Sequence, residues 1–155
     1  MSKLGIEAVV YRNTGSYGSP TWSEVTRISD FTPNEKWDVA EIMIRLARVK
    51  FGAKTTLDIG FTGKLLRDDD DANYLAFVDA ARSPDDVVDL LILDGPNDVV
   101  GSIGVRADYQ ITDNTGSQNP GDVLYMDLNG VPYPTANSPS FAEVEAGPTI
   151  TYTAI

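Results

Sequence analysis

Apolar and polar residues alternate along most of the chain, with the two-residue period of a β-strand. The clearest example covers residues 102–112, and residues 54–66, 122–128 and 149–154 show the same alternation. Residues 87–93 differ, because they are apolar almost without interruption. Alternation predicts strands with one buried face, and the continuous run predicts a central strand that is covered on both faces.

The beginning of the chain predicts a hairpin. Residues 6–11 and 22–28 both have strand-like patterns. The segment between them, residues 12–20, is rich in glycine, serine and other residues that favour turns.

One segment has a helical period instead. Tyr74, Phe77, Val78 and Ala81 occupy positions i, i+3, i+4 and i+7, which lie on one face of an α-helix. The four aspartates at 68–71 precede them, and acidic residues suit the positive end of a helix dipole. A proline after residue 83 ends the pattern, so we predict one helix over about residues 71–82.

Two other segments are less regular. Residues 35–50 fit either a strand or a helix: the strand spacing is carried by Ile42, Ile44 and Leu46, and the helical spacing by Trp37, Ile44 and the pair Ala40 and Ala47. Residues 132–148 are rich in proline, serine, asparagine and alanine. That composition predicts a surface connection leading to the last short strand.

These elements predict a mainly β protein. The fold class that fits them is an antiparallel β-sandwich or barrel of about seven strands with one flanking α-helix at about residues 71–82.

The residue types exclude several kinds of chemistry. The chain of 155 residues contains no cysteine and no histidine. Disulfides, thiolate metal sites and catalysis by a Ser-His-Asp triad or a Cys-His pair are therefore impossible. Catalysis by carboxylates alone and a calcium or magnesium site stay open.

The charge is distributed unevenly. The net charge is −11 overall, +2 over residues 1–66 and −13 over residues 67–155. Tight binding of nucleic acid and electrostatic docking to membranes both need clusters of Lys and Arg, so neither is expected. No apolar segment approaches the roughly 20 residues of a membrane helix, and residues 1–7 do not resemble a signal peptide, so we expect synthesis as a soluble protein in the cytoplasm.

Three motifs invite a chemical interpretation but are better explained by structure. Residues 68–71 lack the spacers, glycine and distal glutamate of a calcium loop. Asp94 follows an apolar run, as the nucleophile of aspartyl phosphotransferases does, but Pro96 stands where a second aspartate is needed. Residues 101–104 lack the lysine of a phosphate loop. We therefore assign no catalytic, cofactor-binding or metal-binding residue and expect no cofactor.

A series of short segments occurs in an order that is typical of one family. The segments are residues 3–8, 11–15, 24–30, 91–95, 101–109 and 124–134. In this order they resemble the major tail tube proteins of long-tailed, siphovirus-type bacteriophages. The similarity predicts a tail-tube-like β domain over residues 1–134 and leaves residues 135–155 as a C-terminal extension that ends in a short strand.

The resemblance implies a structural virion protein rather than an enzyme. Six subunits would join edge to edge into a ring, and rings would stack into a phage tail tube through which DNA passes without sequence-specific binding. The implied partners are further copies of the chain, a tape-measure protein, and tail terminator and baseplate proteins. Assembly would take place in the host cytoplasm, with no role for a membrane.

The resemblance also implies a projecting loop or hairpin. The family usually has a flexible segment rich in glycine and arginine around residues 42–52, whereas residues 42–48 of this chain are far more apolar. An apolar arm outside the core suits the surface of a neighbouring subunit or ring. The candidate interface residues are Trp37, Ile42, Met43, Ile44 and Leu46.

Three alternatives to a tail tube subunit also fit the sequence. A tail terminator or head-completion protein would form one ring without stacking. A small β-sandwich module for carbohydrate or a cell surface would use Tyr17, Trp22 and Trp37 as stacking residues. An enzyme working with carboxylates alone is the weakest alternative, because no acidic pair lined by aromatic residues is identifiable.

Overall fold

The computed structural model describes residues 8–45, 48–116 and 124–155. Within these ranges the chain forms eleven β-strands and one α-helix. In chain order they are β1 (Val9–Asn13), β2 (Trp22–Glu24), β3 (Ile28–Pro33), β4 (Lys36–Ile42), β5 (Phe51–Asp58), β6 (Phe61–Leu66), α1 (Ala72–Arg82), β7 (Val88–Leu93), β8 (Ile103–Thr115), β9 (Tyr125–Pro132), β10 (Ser140–Glu145) and β11 (Thr149–Ala154). The predicted mainly β, antiparallel fold with one flanking helix is confirmed. Nowhere in these ranges is a helix long and apolar enough to cross a membrane.

The long strand β8 joins the two parts of a nine-stranded sheet. Its first half pairs with β7 along one edge and with β10 along the other, and its second half pairs with β9. One part of the sheet runs β2-β1-β7-β8 and continues into β10 and β11, and the other runs β8-β9-β6-β3. A register shift between Ile111 and Asp113 lies where β8 pairs with β9, as expected where a strand bends between two layers.

The central strand β7 is buried on both faces, as its continuous apolar sequence predicts. Leu90 and Ile92 belong to the main core between the layers of the sandwich and α1. Leu91 and Leu93 belong to a second cluster on the opposite face, together with Val144 of β10. Both neighbours of β7, the strands β1 and β8, run antiparallel to it.

Helix α1 forms where the apolar spacing predicts it. The side chain of Asp71 caps its first turn by accepting a hydrogen bond of 3.0 Å from the backbone N–H of Asn73. Phe77 and Val78 are buried in the main core. Asn73 is also buried, and it accepts a hydrogen bond of 2.8 Å from Nε of Arg12, which ties the helix to β1.

The predicted single strand over residues 54–66 is wrong. The chain instead leaves β5 at Asp58 and enters β6 at Phe61, and the two strands belong to different sheets. Asp58 accepts a hydrogen bond of 3.0 Å from the N–H of Gly60, which closes a local turn. A Cβ on Gly60 would lie 2.9 Å from the carbonyl oxygen of Gly130, so this turn requires glycine. Alternation continued through the turn and concealed it.

The prediction that residues 132–148 are only a surface connection is also wrong. They contain β10, which pairs with both β8 and β11, and its Ala142 and Val144 are buried. The small residues and prolines around it obscured a six-residue alternation. Similarly, β3 leaves the N-terminal hairpin and pairs with β6. These two strands, β4, and the division of residues 54–66 into β5 and β6 account for the count of eleven rather than about seven.

Residues 36–58 form a hairpin that we call the arm, consisting of β4, β5 and the connection between them. Of the two structures that fit residues 35–50, the strand is therefore correct and the helix is wrong. The two strands form a sheet of their own, separate from the nine-stranded one. Beyond their own pairing they make at most marginal contacts with the other described strands and the helix, so the arm projects from the sandwich.

Tyr109 makes stability sensitive to alkali. Its ring is fully buried edge-on to Phe61, and its hydroxyl donates a hydrogen bond of 2.8 Å to the carbonyl of Ile59. Burial raises the pKa of Tyr109 above its ordinary value. A raised folded-state pKa means that stability is fully present below the unfolded-state pKa of about 10 and is lost as the pH rises above it.

We therefore expect the free energy of unfolding to fall less steeply above pH 10 in Tyr109→Phe than in the parent protein. At neutral pH the variant should lose about 1 kcal/mol with its hydrogen bond. Urea unfolding between pH 7 and 11 measures both effects. Tyr125→Phe, a change at an exposed tyrosine, is the control. If the free energy of unfolding fell equally steeply with pH in the parent protein and in Tyr109→Phe, Tyr109 would not be the source of the sensitivity to alkali.

Candidate functional site

The end of the arm exposes a group of large apolar side chains. Met43 is 92% exposed, Ile44 52% and Ile42 44%. Val49 and Phe51, on the returning side of the connection, are also exposed. Together these five residues, which we call the arm tip, expose large apolar side chains at the end of a projection with little support from the core. Surfaces of this kind usually become buried against another molecule.

The pairing of the arm explains its shape. Ile42 lies opposite Phe51, so two bulky residues meet across the strands where the connection begins. Glu41 and Lys50 form an ion pair of 3.1 Å beside them. At the other end Lys36 lies opposite Asp58, again with opposite charges. A register shift between Trp37 and Val39 increases the local twist of β4.

The five predicted interface residues do not lie together. Trp37 is at the root of the arm, half-buried opposite Leu57, with Nζ of Lys54 5.4 Å from its ring centroid. Ile42 is five residues further along β4, about 16 Å at the rise of an extended strand. Ile42, Met43 and Ile44 share the tip, whereas Leu46 lies outside the described residues. Their role in subunit contacts remains a prediction.

The arm and the rest of the chain carry opposite net charges. Residues 36–58 contain five basic and three acidic residues, so their net charge is +2. The rest of the chain therefore has a net charge of −13, and the whole chain has a net charge of −11. Arg45 and Arg48 are exposed in the connection at the tip, next to the apolar residues. The arm thus presents a basic, apolar end on an otherwise acidic protein.

A buried arginine forms the most extensive polar network among the described residues, and sequence reasoning missed it. Arg106 of β8 donates to both carboxylate oxygens of Asp89 on β7, from Nε at 3.1 Å and from Nη2 at 2.7 Å. Its Nη2 also donates to the carbonyl of Tyr17. Three rings surround the guanidinium, with centroids at 3.8 Å for Tyr17 and 5.0 Å for Trp22 and Tyr152.

This network has a structural role. Burial by itself lowers the pKa of Arg106, but the hydrogen bond and charge of Asp89 outweigh it and the pKa is raised, so the side chain stays charged.

Tyr17 and Trp22, two of the residues suggested for carbohydrate stacking, pack on Arg106, whereas Trp37 is part of the arm. One feature of the sequence could have drawn attention to Arg106. It is the only basic residue after Arg82, and it stands in a strongly alternating strand.

The acidic motifs serve local structure. Asp68 accepts a hydrogen bond from the N–H of Asp70 and forms an ion pair with Arg27, and Asp71 caps α1. Asp94 accepts a hydrogen bond of 2.8 Å from the N–H of Ile103, which closes the connection between β7 and β8. In the part of the chain that the structure describes, no group of three or more acidic side chains is arranged to hold a metal ion.

The fold is shared with tail tube proteins of solved structure. The chain is similar to a chain in the tail of an empty gene transfer agent particle, computed with helical refinement and C6 symmetry, with a TM-score of 0.64 and 9% identity over 99% of this chain and 100% of that one. For the SPP1 tail tube the TM-score is 0.66, with 6% identity over 99% and 80% of the chains.

A contractile injection system is also similar in fold. Its PVC sheath-tube complex in the extended state contains a chain with a TM-score of 0.60 and 8% identity, covering 99% of this chain and 93% of that one. No protein-family model matches the sequence, and no curated protein matches it significantly. The resemblance to tail tube proteins seen in the sequence is thus confirmed at the level of the fold.

The Arg106 network should be costly to break. Arg106→Met leaves Asp89 largely buried without its cation, although Asn13 still donates to it at 2.9 Å. We expect a loss of about 3–5 kcal/mol in the free energy of unfolding, because an uncompensated buried charge remains. Urea denaturation measures the loss.

The matched control is Lys50→Ala, which breaks the exposed ion pair with Glu41. It should cost less than about 1 kcal/mol, as exposed ion pairs usually do. If the two variants were equally stable, the Arg106–Asp89 pair would stabilise the fold no more than an exposed ion pair does.

Proposed function

We propose that this chain is the repeating subunit of a phage-type tail tube, a structural and non-enzymatic component of the virion tail. Copies join into a ring of six, rings stack along an axis, and DNA passes through the central channel. The observation that carries the proposal is the similarity of fold over 99% of the chain to tail tube subunits. The projecting arm with its exposed apolar tip is an independent feature that suits assembly.

The edges of the sheet support self-association. Among the described strands, β2, β3 and β11 each pair along one edge only. Unpaired edges recruit further strands unless something blocks them, and a closed ring of identical subunits satisfies them. The ring number of six rests on the C6 symmetry of the gene transfer agent tail, which has the same fold.

The charge distribution suits a channel for DNA. With the arm set aside, the chain carries a net charge of −13. Acidic surfaces do not release the counterions that drive DNA binding, so a DNA molecule can move past without being held. A tape-measure protein inside the tube, and terminator and baseplate proteins at its two ends, are the further partners that this role requires.

Electron microscopy of the purified full-length protein tests the proposal. Over a concentration series we expect rings that stack into tubes, with sixfold symmetry in end views. Single rings that never stack would favour a terminator or head-completion protein. A monomer at every concentration, also with the tape-measure partner present, would contradict the proposal.

The arm tip should be needed for growth of the tube. A variant with Ile42, Met43 and Ile44 all changed to serine removes exposed apolar surface and buries no polar group in the core. We expect its thermal unfolding temperature to stay within a few degrees of the parent value, because exposed substitutions usually change stability little. Tube formation, followed by light scattering and microscopy, should be lost.

Leu75→Ser is the matched control, because Leu75 is 43% exposed on α1. It should assemble like the parent protein. Tubes of normal length from the triple variant would show that the tip does not join subunits.

A further inference from the structure

A groove of about 660 Å³ opens beside the root of the arm. One wall is formed by the paired strands β10 and β11, and the other by residues 33–35 and Ile59. Its floor is apolar, with Ile92, Val105 and Phe141 among the lining residues. The groove is thus a wedge between the two layers of the sandwich.

The apolar side of the groove is an extension of the main core, in which Ile92 and Val105 are almost fully buried. Val105 lies opposite Ile92 on β7 and opposite Phe141 on β10, so the three residues share one face of the sheet. Ile103 continues this face toward the outside and is 55% exposed. Phe141 is partly exposed beside it, so a further apolar segment placed over Ile103 and Phe141 would remove apolar surface from water.

The rim of the groove is acidic. Glu35, Glu143 and Glu145 are exposed along it, and no basic residue is among the residues that line it. None of the ion pairs between described residues involves these three glutamates. The groove therefore presents apolar surface surrounded by negative charge.

The arm tip has the complementary composition. Its apolar residues stand next to Arg45 and Arg48, both of which are exposed. A chain cannot place its own tip in its own groove, because Glu35 lines the groove and β4 then leads away over about 20 Å of extended strand. The tip that fits must come from another copy.

We propose that the arm tip of one subunit docks into the groove of another, with Met43 and its neighbours on the apolar floor and Arg45 and Arg48 near the rim glutamates. This inference rests on the proposed function and adds to it the surface that receives the arm. Because tip and groove are different surfaces, the contact is head-to-tail and repeats from copy to copy, as ring or tube growth requires.

Residues 1–7 are the alternative occupant, since they lead directly to Ala8, which lines the groove. They include the apolar residues Leu4 and Ile6 but only one basic side chain, Lys3, against one acidic side chain, Glu7. Residues 41–51, which contain the arm tip, have three basic side chains against one acidic side chain. Charge complementarity to the rim therefore favours the arm tip.

Cross-linking tests the contact directly, because the chain contains no cysteine. In the full-length variant Met43→Cys with Ile103→Cys, a short flexible bis-maleimide should give a ladder of covalent multimers under assembly conditions. The control, Met43→Cys with Leu75→Cys, should give little beyond monomer. A variant with Ile6→Cys and Ile103→Cys that instead cross-links within one chain would assign the groove to residues 1–7 and overturn the inference.

Charge reversal gives a second test that does not depend on cysteine. Reversing the charges beside the arm tip (Arg45→Glu with Arg48→Glu) or the charges on the rim (Glu143→Lys with Glu145→Lys) should raise the critical concentration for assembly by about tenfold or more. Combining all four changes should restore it to within about threefold of the parent value, because the attraction is re-formed. Asp85→Lys with Asp86→Lys, an equal change of charge at exposed residues outside this groove, should have little effect.

The outcomes separate the two proposals. Tubes that form without the Met43–Ile103 cross-link, and without recovery in the fourfold variant, would overturn the docking site and leave the tube function standing. Absence of any assembly by the parent protein would contradict the proposed function itself.

Discussion

The buried ion pair between Arg106 and Asp89 is the interaction on which the arrangement of the sheet depends. Arg106 lies on the stretch of β8 that is paired on both edges, opposite Leu91 on one side and Ser140 on the other. Its guanidinium also packs against Tyr152 of β11. Because a buried charge is costly unless it is paired and hydrogen-bonded, these strands are held in one register. The opposite face of β10 and β11 forms a wall of the groove. The ion pair and the proposed docking surface therefore lie on opposite faces of this part of the sheet.

The protein separates a rigid part from a part that is available for assembly. The sandwich and α1 bury the large apolar residues around strands such as β7, whereas the arm exposes them at Ile42, Met43 and Ile44. The net charge divides at the same place, positive on the arm and negative elsewhere. This division suits the proposed subunit, which would bury the exposed apolar side chains of the arm against copies of itself.

Local patterns predicted the individual elements well and their partners poorly. The spacing of Phe77 and Val78 predicted α1, and the continuous apolar run predicted that β7 is covered on both faces. The turn at Gly60 was missed because the alternation of apolar and polar residues continues through it. The turn requires glycine because Gly130, on a distant strand, approaches it closely. The buried pairing of Arg106 with Asp89 could not be predicted either, since it depends on the antiparallel register of β7 and β8. The resemblance predicted a projecting loop or hairpin, and the sequence of residues 42–48 predicted that it is apolar, but the groove was not predicted.

The amino-acid sequence alone established a mainly β chain with one helix, an acidic body, a more basic N-terminal part, and the absence of thiol and imidazole chemistry. These properties follow from composition and from neighbours within a few positions, which is why they can be read locally. The tertiary structure decided which strands pair, that residues 36–58 leave the sandwich as a separate hairpin, and that Ile103 and part of Phe141 stay exposed in a groove between two layers. These properties arise from contacts between distant parts of the chain, whose registers depend on the whole set of packed side chains rather than on any one segment.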